Sequence, residues 1–168
     1  MYKIFDNLLS IEDYNKINDV MFSPFFPWYC YDGKVNEKDN LIGISHCFYE
    51  YNKVNSNYYD LLYLIILKCN MKAVRRVKAN LDLKTVNKKT ILHTDFTDDL
   101  SGLWTGIYYL NSNNGKTYFE NGDVIDSVAN RMIIFPANMK HGTITQTDKN
   151  KRVIINFNWY GGSTNKEN

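Results

Sequence analysis

Apolar residues in this chain follow a helical period in two places ahead of Val74 and short strand-like runs after it. Ile11, Tyr14, Ile17 and Met21 repeat at roughly helical spacing behind Ser10 and Asp13, a cap residue with an acid in the first turn, which predicts a helix over about 11–21. Pro24 and Pro27 end it and lead into an aromatic-rich segment, Phe25 to Tyr31, then a polar loop after Asp32-Gly33 that runs to about residue 43. Ser56 can cap a second helix from Asn57 to about Cys69. Its Leu-Leu-Tyr-Leu-Ile-Ile-Leu stretch is apolar nearly all round, which predicts burial against a sheet. Strands follow at about 74–81, 90–95, 103–110, 116–120, 131–135, 142–147 and 152–159, separated by turn signals such as Asn114-Gly115 and Asn121-Gly122. Short strands at this frequency predict a sandwich or barrel, so the chain reads as mainly β with N-terminal helices.

Size and charge narrow the classes. At 168 residues the simplest organisation is one domain: helical support and outer strands over about 1–73, the β core over about 74–160, and a flexible tail over 161–168. A net charge of +2 from 20 basic and 18 acidic residues, with no basic stripe, argues against a nucleic-acid partner. Cys30, Cys47 and Cys69 are odd in number and lack Cys-x-x-Cys spacing, and no cleavable signal precedes the polar segment at Asp6. Free thiols and a reducing cytoplasm are expected. The longest apolar stretch, Leu61 to Leu67, is far short of the about 20 residues that cross a bilayer.

The candidate chemistry lies in the β half. His93 and Asp95 are two apart, so one strand would turn both side chains the same way while Thr94 faces the other. His141, 46 residues after Asp95 (141 − 95), can supply a third ligand from another strand. Two histidines and one carboxylate on one side of a metal leave positions open, the pattern of mononuclear Fe(II) sites. The chain has three histidines, and two of them fall in this pattern; the third, His46, is expected at the surface or next to the ligands. If iron is held there, iron and Asp95 sum to +1, and a dicarboxylate co-substrate such as 2-oxoglutarate leaves −1 to be balanced. Arg152, 11 residues after His141 (152 − 141), is the candidate, because a guanidinium matches a carboxylate and an uncompensated buried charge is expensive. Lys151 is its nearest competitor.

Three stretches resemble the Fe(II)- and 2-oxoglutarate-dependent oxygenases, particularly their prolyl-4-hydroxylase-like branch and the small oxygenases of bacteriophages. They are His93-Thr94-Asp95-Phe96, Thr105-Gly106-Ile107-Tyr108-Tyr109-Leu110-Asn111, and Ile134-Phe135-Pro136 through His141 to Arg152-Val153-Ile154-Ile155-Asn156-Phe157-Asn158. The resemblance implies a double-stranded β-helix, or jelly roll, and Fe(II), 2-oxoglutarate and O2 as cofactor and co-substrates, with ascorbate a further candidate. It implies that Tyr109 joins Arg152 on the distal carboxylate. By alternation Tyr109 shares a face with Ile107 while Tyr108 points the opposite way. Asn80 and Arg76, on the strand from Val74, are weaker candidates for contacting co-substrate or substrate, and Trp104 and Trp159 are expected to pack the sandwich.

The implied activity is hydroxylation of a C–H bond with release of succinate and CO2, a peptidyl proline being the first candidate substrate and a small molecule the next. The cytoplasm, or the host cytoplasm for a phage protein, is the expected location. Two other readings stay open: a jelly-roll binding or structural protein without catalysis, and a cupin-like metalloenzyme that uses no 2-oxoglutarate. The substrate-binding residues are not identified by the sequence, although the aromatic segment and the loop after it, with the segment after Phe96, are placed to line a site.

Overall fold

A computed structural model describes residues 1–33, 42–86 and 88–161; most of the polar loop expected after Gly33 and most of the expected tail lie outside the described residues. In chain order the elements are β1 (Lys3–Phe5), α1 (Ile11–Phe22), β2 (Tyr29–Asp32), β3 (Ile42–Glu50), β4 (Lys53–Val54), a 3-10 turn (Tyr59–Leu62) running into α2 (Tyr63–Lys68), and β5 (Ala73–Leu83). Then come β6 (Leu103–Tyr109), β7 (Asn113–Phe119), β8 (Val124–Ser127), β9 (Arg131–Pro136), β10 (His141–Ile144) and β11 (Lys151–Tyr160). All pairings are antiparallel. The larger sheet runs β1-β9-β6-β11-β5-β3-β2, with β4 paired to β3, and the smaller runs β10-β7-β8.

β11 is the centre of the larger sheet and is buried from Arg152 to Trp159, because both of its faces are covered. One face packs on the smaller sheet: Ile107, Tyr109, Ile133, Phe135 and Ile154 meet Phe119 and Ile125. The other face carries Val77, Ala79, Tyr108, Met132, Ile155, Phe157 and Trp159 and packs under Ile17 and Met21 of α1 and Leu62, Ile65 and Ile66 around α2. Adjacent residues therefore serve different layers, and Tyr108 and Tyr109 divide as alternation requires. The Tyr108 hydroxyl donates to Asn130 Oδ1 (2.8 Å), and the Asn130 amide donates to Leu9 O (2.9 Å), tying the segment before α1 to the sheet. Trp159, with Trp104 beside it, packs on this helix-covered face and not between the sheets.

Helix α1 occupies Ile11–Phe22, and Ser10 Oγ accepts from Asp13 N (3.1 Å) as the cap pattern requires. The second helix departs from expectation. It is split between a 3-10 turn and six residues of α-helix, and Tyr63, Leu64 and Leu67 are exposed while only Leu62, Ile65 and Ile66 reach the core. A helix of under two turns lying on a sheet can bury one stripe, whatever its composition. The strand expected at 90–95 is reduced to two isolated bridges, Lys89 with Ile144 and His93 with His141, which place this segment beside β10 as the border of the smaller sheet. Among the described residues no helix is long and apolar enough to cross a membrane.

Candidate metal centre

The bridge between His93 and His141 is the base of the site. His93 N donates to His141 O (3.0 Å) and His141 N donates to His93 O (2.9 Å), which sets the two imidazoles side by side with ring centroids 4.9 Å apart. Asp95 follows two residues on, past the paired stretch, where the chain bends and Thr94 Oγ1 donates to Phe96 O (2.8 Å). Phe96 is pinned beneath the guanidinium groups of Arg75 and Arg76, at 3.7 and 4.4 Å from its centroid. One ligand atom from each of His93, Asp95 and His141 lies within 4.8 Å of the others. The expected shared strand is thus replaced by a bridge and a bend, with the same convergence.

Neighbouring groups orient the three donors. His93 Nδ1 lies 3.1 Å from Ile91 O and His141 Nδ1 lies 3.3 Å from Met139 O. A carbonyl oxygen only accepts, so Nδ1 carries the proton in each ring and the Nε2 lone pair is left for coordination. Burial pushes the His141 pKa down, which keeps the ring neutral. Burial alone would raise the Asp95 pKa, but the Arg76 guanidinium, with the Asn158 amide, holds it below the usual carboxylate range. Arg76 Nη2 is 2.9 Å from Asp95 Oδ1, while Asn158 Nδ2 (2.8 Å) and Thr105 Oγ1 (3.4 Å) donate to Oδ2. Two imidazoles and an ionised carboxylate from converging backbone segments suit a divalent first-row metal.

A cleft of about 460 Å³ opens from this point between the two sheets. Its floor is the inward face of β5, where Arg76, Lys78, Asn80 and Asp82 alternate, with Ile154 and Asn156 of β11 beside them; Thr117 and Thr143 face them from the smaller sheet. Asn80 therefore stands in the cleft, and Arg76 beside Asp95. Arg152 and Tyr109 are brought together as expected, yet both are fully buried and stand behind the cleft wall. Tyr109 OH donates to Thr117 Oγ1 (2.8 Å), and burial pushes its pKa up to about 12. Arg152 is held on three sides: Nε to Ser127 Oγ (2.8 Å), Nη1 to Asp82 Oδ2 (3.0 Å) and Nη2 to Thr117 Oγ1 (3.4 Å). Lys151 is exposed and points away.

Sequence reasoning missed Asp82 as the partner of Arg152. The signal becomes available only with the register, which sets Asp82 directly opposite Arg152 across β5 and β11. His46 is neither a surface residue nor next to the ligands: it is buried beneath the helices among Phe26, Phe48 and Tyr58, with Nδ1 on Pro27 O and Nε2 on Ser56 Oγ, both at 2.7 Å.

No family model matches the sequence, and no curated protein matches it. Solved structures share the fold at low identity. An oxidoreductase of the 2OG-Fe(II) oxygenase family from Burkholderia pseudomallei superposes with a TM-score of 0.70 at 13% identity, covering 98% of this chain and 88% of its own. A prolyl hydroxylase from Trichoplax adhaerens, solved with a peptide from the hypoxia inducible factor oxygen degradation domain, gives 0.70 at 14%, covering 95% and 83%. A non-heme alpha ketoglutarate dependent epimerase from nogalamycin biosynthesis gives 0.66 at 10%, covering 95% and 78%.

Proposed function

We propose that the chain is an Fe(II)- and 2-oxoglutarate-dependent dioxygenase that hydroxylates a C–H bond, on a double-stranded β-helix, with His93, Asp95 and His141 as the iron ligands. The observation that carries the reading is the convergence of these three donors, with both Nδ1 atoms committed to backbone carbonyls, at the mouth of a cleft between the sheets. Bound there, iron with 2-oxoglutarate and O2 supplies the oxidising chemistry, releasing succinate and CO2 as the substrate gains a hydroxyl group.

The chain's own residues do the rest. The carbonyls of Ile91 and Met139 fix the imidazole orientations, and Asn158 with Thr105 fixes Asp95 Oδ2, so the ligand geometry exists before the metal arrives. Arg76 keeps Asp95 ionised. Ile107 and Ile154 give the cleft an apolar wall that limits water beside the reacting centre. Asn80 is placed to donate to a co-substrate lying along β5, and Arg152 and Tyr109 back the inner end of the cleft through Asp82 and Thr117.

The substrate assignment is a separate step. Similar structures include a hydroxylase and an epimerase, so the shared fold does not choose the reaction. A peptidyl proline is the substrate we infer, on the likeness of Ile107 to Asn111 to the prolyl-hydroxylase segment. A specific observation favours a second reading: the Asp82–Arg152 pair closes the cation expected to hold a dicarboxylate, as would suit a metalloenzyme that takes no 2-oxoglutarate.

Anaerobic titration of the protein with Fe(II) and then 2-oxoglutarate tests the assignment. A visible charge-transfer band, lost together with tight iron binding in His93→Ala, Asp95→Ala or His141→Ala and kept in His46→Ala, is the expected result. Iron binding without the band in folded protein supports the second reading.

A further inference from the structure

The inward face of β5 carries two arginine-or-lysine positions, and the surrounding sheets bring two more cations close to the cleft. Arg76 is bound to Asp95 (2.9 Å), Arg152 to Asp82 (3.0 Å), and Lys140 to Glu120 (3.2 Å). Among the described residues Lys78 is the cleft-lining cation without a carboxylate partner. Its ammonium donates to the Tyr31 hydroxyl (3.1 Å) and sits 5.0 Å from that ring, a neutral partnership that leaves its charge uncompensated. Directly across the strand pair is Asn156, 7% exposed, whose Oδ1 is buried without a hydrogen-bond partner. A half-buried bare ammonium facing an amide with unfinished hydrogen bonding is an arrangement completed by a ligand that brings negative charge.

We propose that Lys78, with Asn156, is the carboxylate seat of the cleft, and that it takes the distal carboxylate of 2-oxoglutarate while Arg152 and Asp82 form a permanent structural pair. The inference rests on the functional reading above and assigns its co-substrate contacts. The electrostatics favour Lys78. A carboxylate approaching Arg152 meets the Asp82 carboxylate first, a like charge in a low-dielectric cleft, and Arg152 already has one oxygen partner on each of its three nitrogens. At Lys78 the same group neutralises a free cation, and rotation of the Asn156 amide by half a turn, which exchanges its oxygen and nitrogen, presents a donor. Lys78 lies one inward-facing position beyond Arg76, which holds the ligand Asp95, so the seat adjoins the metal along the same strand.

The test measures binding of 2-oxoglutarate, and in parallel of pyruvate, which shares the 2-oxo carboxylate but lacks the distal one. Mn(II)-loaded wild type, Lys78→Met, Lys78→Arg and Asp82→Asn are titrated by calorimetry. Loss of one charge-assisted partner is expected to weaken 2-oxoglutarate on the order of tenfold or more in Lys78→Met, to leave pyruvate and Mn(II) nearly unchanged, and to be largely restored in Lys78→Arg. Asp82→Asn is expected to leave 2-oxoglutarate affinity within about threefold of wild type. If instead Lys78→Met binds 2-oxoglutarate normally and Asp82→Asn tightens it, Arg152 is the seat and the proposal falls. If wild type binds Mn(II) and pyruvate but never 2-oxoglutarate, the co-substrate reading itself fails.

Discussion

Arg76 is the place to test whether the three donors form a metal site or a self-contained ion-pair cluster. Arg76→Met keeps an unbranched stem over Phe96 and removes the cation 2.9 Å from Asp95 Oδ1. At that distance two unit charges attract by about 6 kcal/mol at an effective dielectric of about 20. Removing one partner of a buried pair typically costs about 3–5 kcal/mol. Asp95 keeps Asn158 and Thr105 as donors and the Arg76 side chain is 14% exposed, so we expect a loss of roughly 2–3 kcal/mol in metal-free protein. For a domain of this size that lowers Tm by about 5–10 °C. A divalent ion on Asp95 supplies the missing counter-charge, so at saturating Mn(II) the loss should fall below about 1 kcal/mol. By reciprocity Arg76→Met should bind Mn(II) about tenfold more tightly than wild type, because coupling between two occupants of one carboxylate is mutual. Thermal melts with and without Mn(II), with calorimetry for the affinity, read both quantities. An equal stability loss with and without metal, and unchanged affinity, would refute a metal at Asp95.

Two further expectations follow from packing. A Cβ added at Gly115 would lie 2.9 Å from Arg152 Cδ and 3.1 Å from Gln146 N, both in crowded surroundings, so Gly115→Ala should destabilise by about 1–3 kcal/mol in a urea melt; a change below about 0.5 kcal/mol would mean the wall behind Thr117 is loosely packed. Burial holds the His46 pKa below its ordinary value, so the unfolded chain binds more protons. Stability is then fully present above about pH 6.5 and is lost as pH falls through the folded-state pKa; His46→Gln should flatten that acid slope, and an unchanged slope would show that His46 is not its source.

The convergence of His93, Asp95 and His141 was legible in the sequence because its signal is short-range or compositional: a pair two residues apart, and a chain with few histidines. The division of Tyr108 from Tyr109 was legible too, since alternation needs no knowledge of the partner strand. What escaped was set by partners distant in sequence. Asp82 has no assigned role in the sequence until the β5–β11 register sets it against Arg152, and Arg76 reads as a candidate contact to co-substrate or substrate until the bend after His93 delivers Asp95 to it as an ion-pair partner. β3 carried a weak strand pattern because Gly43, Ser45 and Cys47, which alternate with Ile44, His46 and Phe48, are small and blur the contrast between its two faces. The second helix was expected to be buried nearly all round because an apolar run signals burial without revealing how many faces will be covered.

The single rung between His93 and His141 has a kinetic meaning. Upstream, Thr90 is fastened twice to Thr143, by Thr90 N to Thr143 O and by Thr143 N to Thr90 Oγ1, both at 2.9 Å; past it, the His93–His141 rung is the last backbone tie before the chain turns to Asp95. In metal-free protein that rung can fray without disturbing the core, and its two amide protons should exchange with solvent through a local opening. An ion held by both rings cross-links residues 48 positions apart (141 − 93) at the same rung. The amides of His93 and His141 then exchange only when the ion leaves or a larger unit of the sheet opens, so two backbone protons become a clock for metal residence.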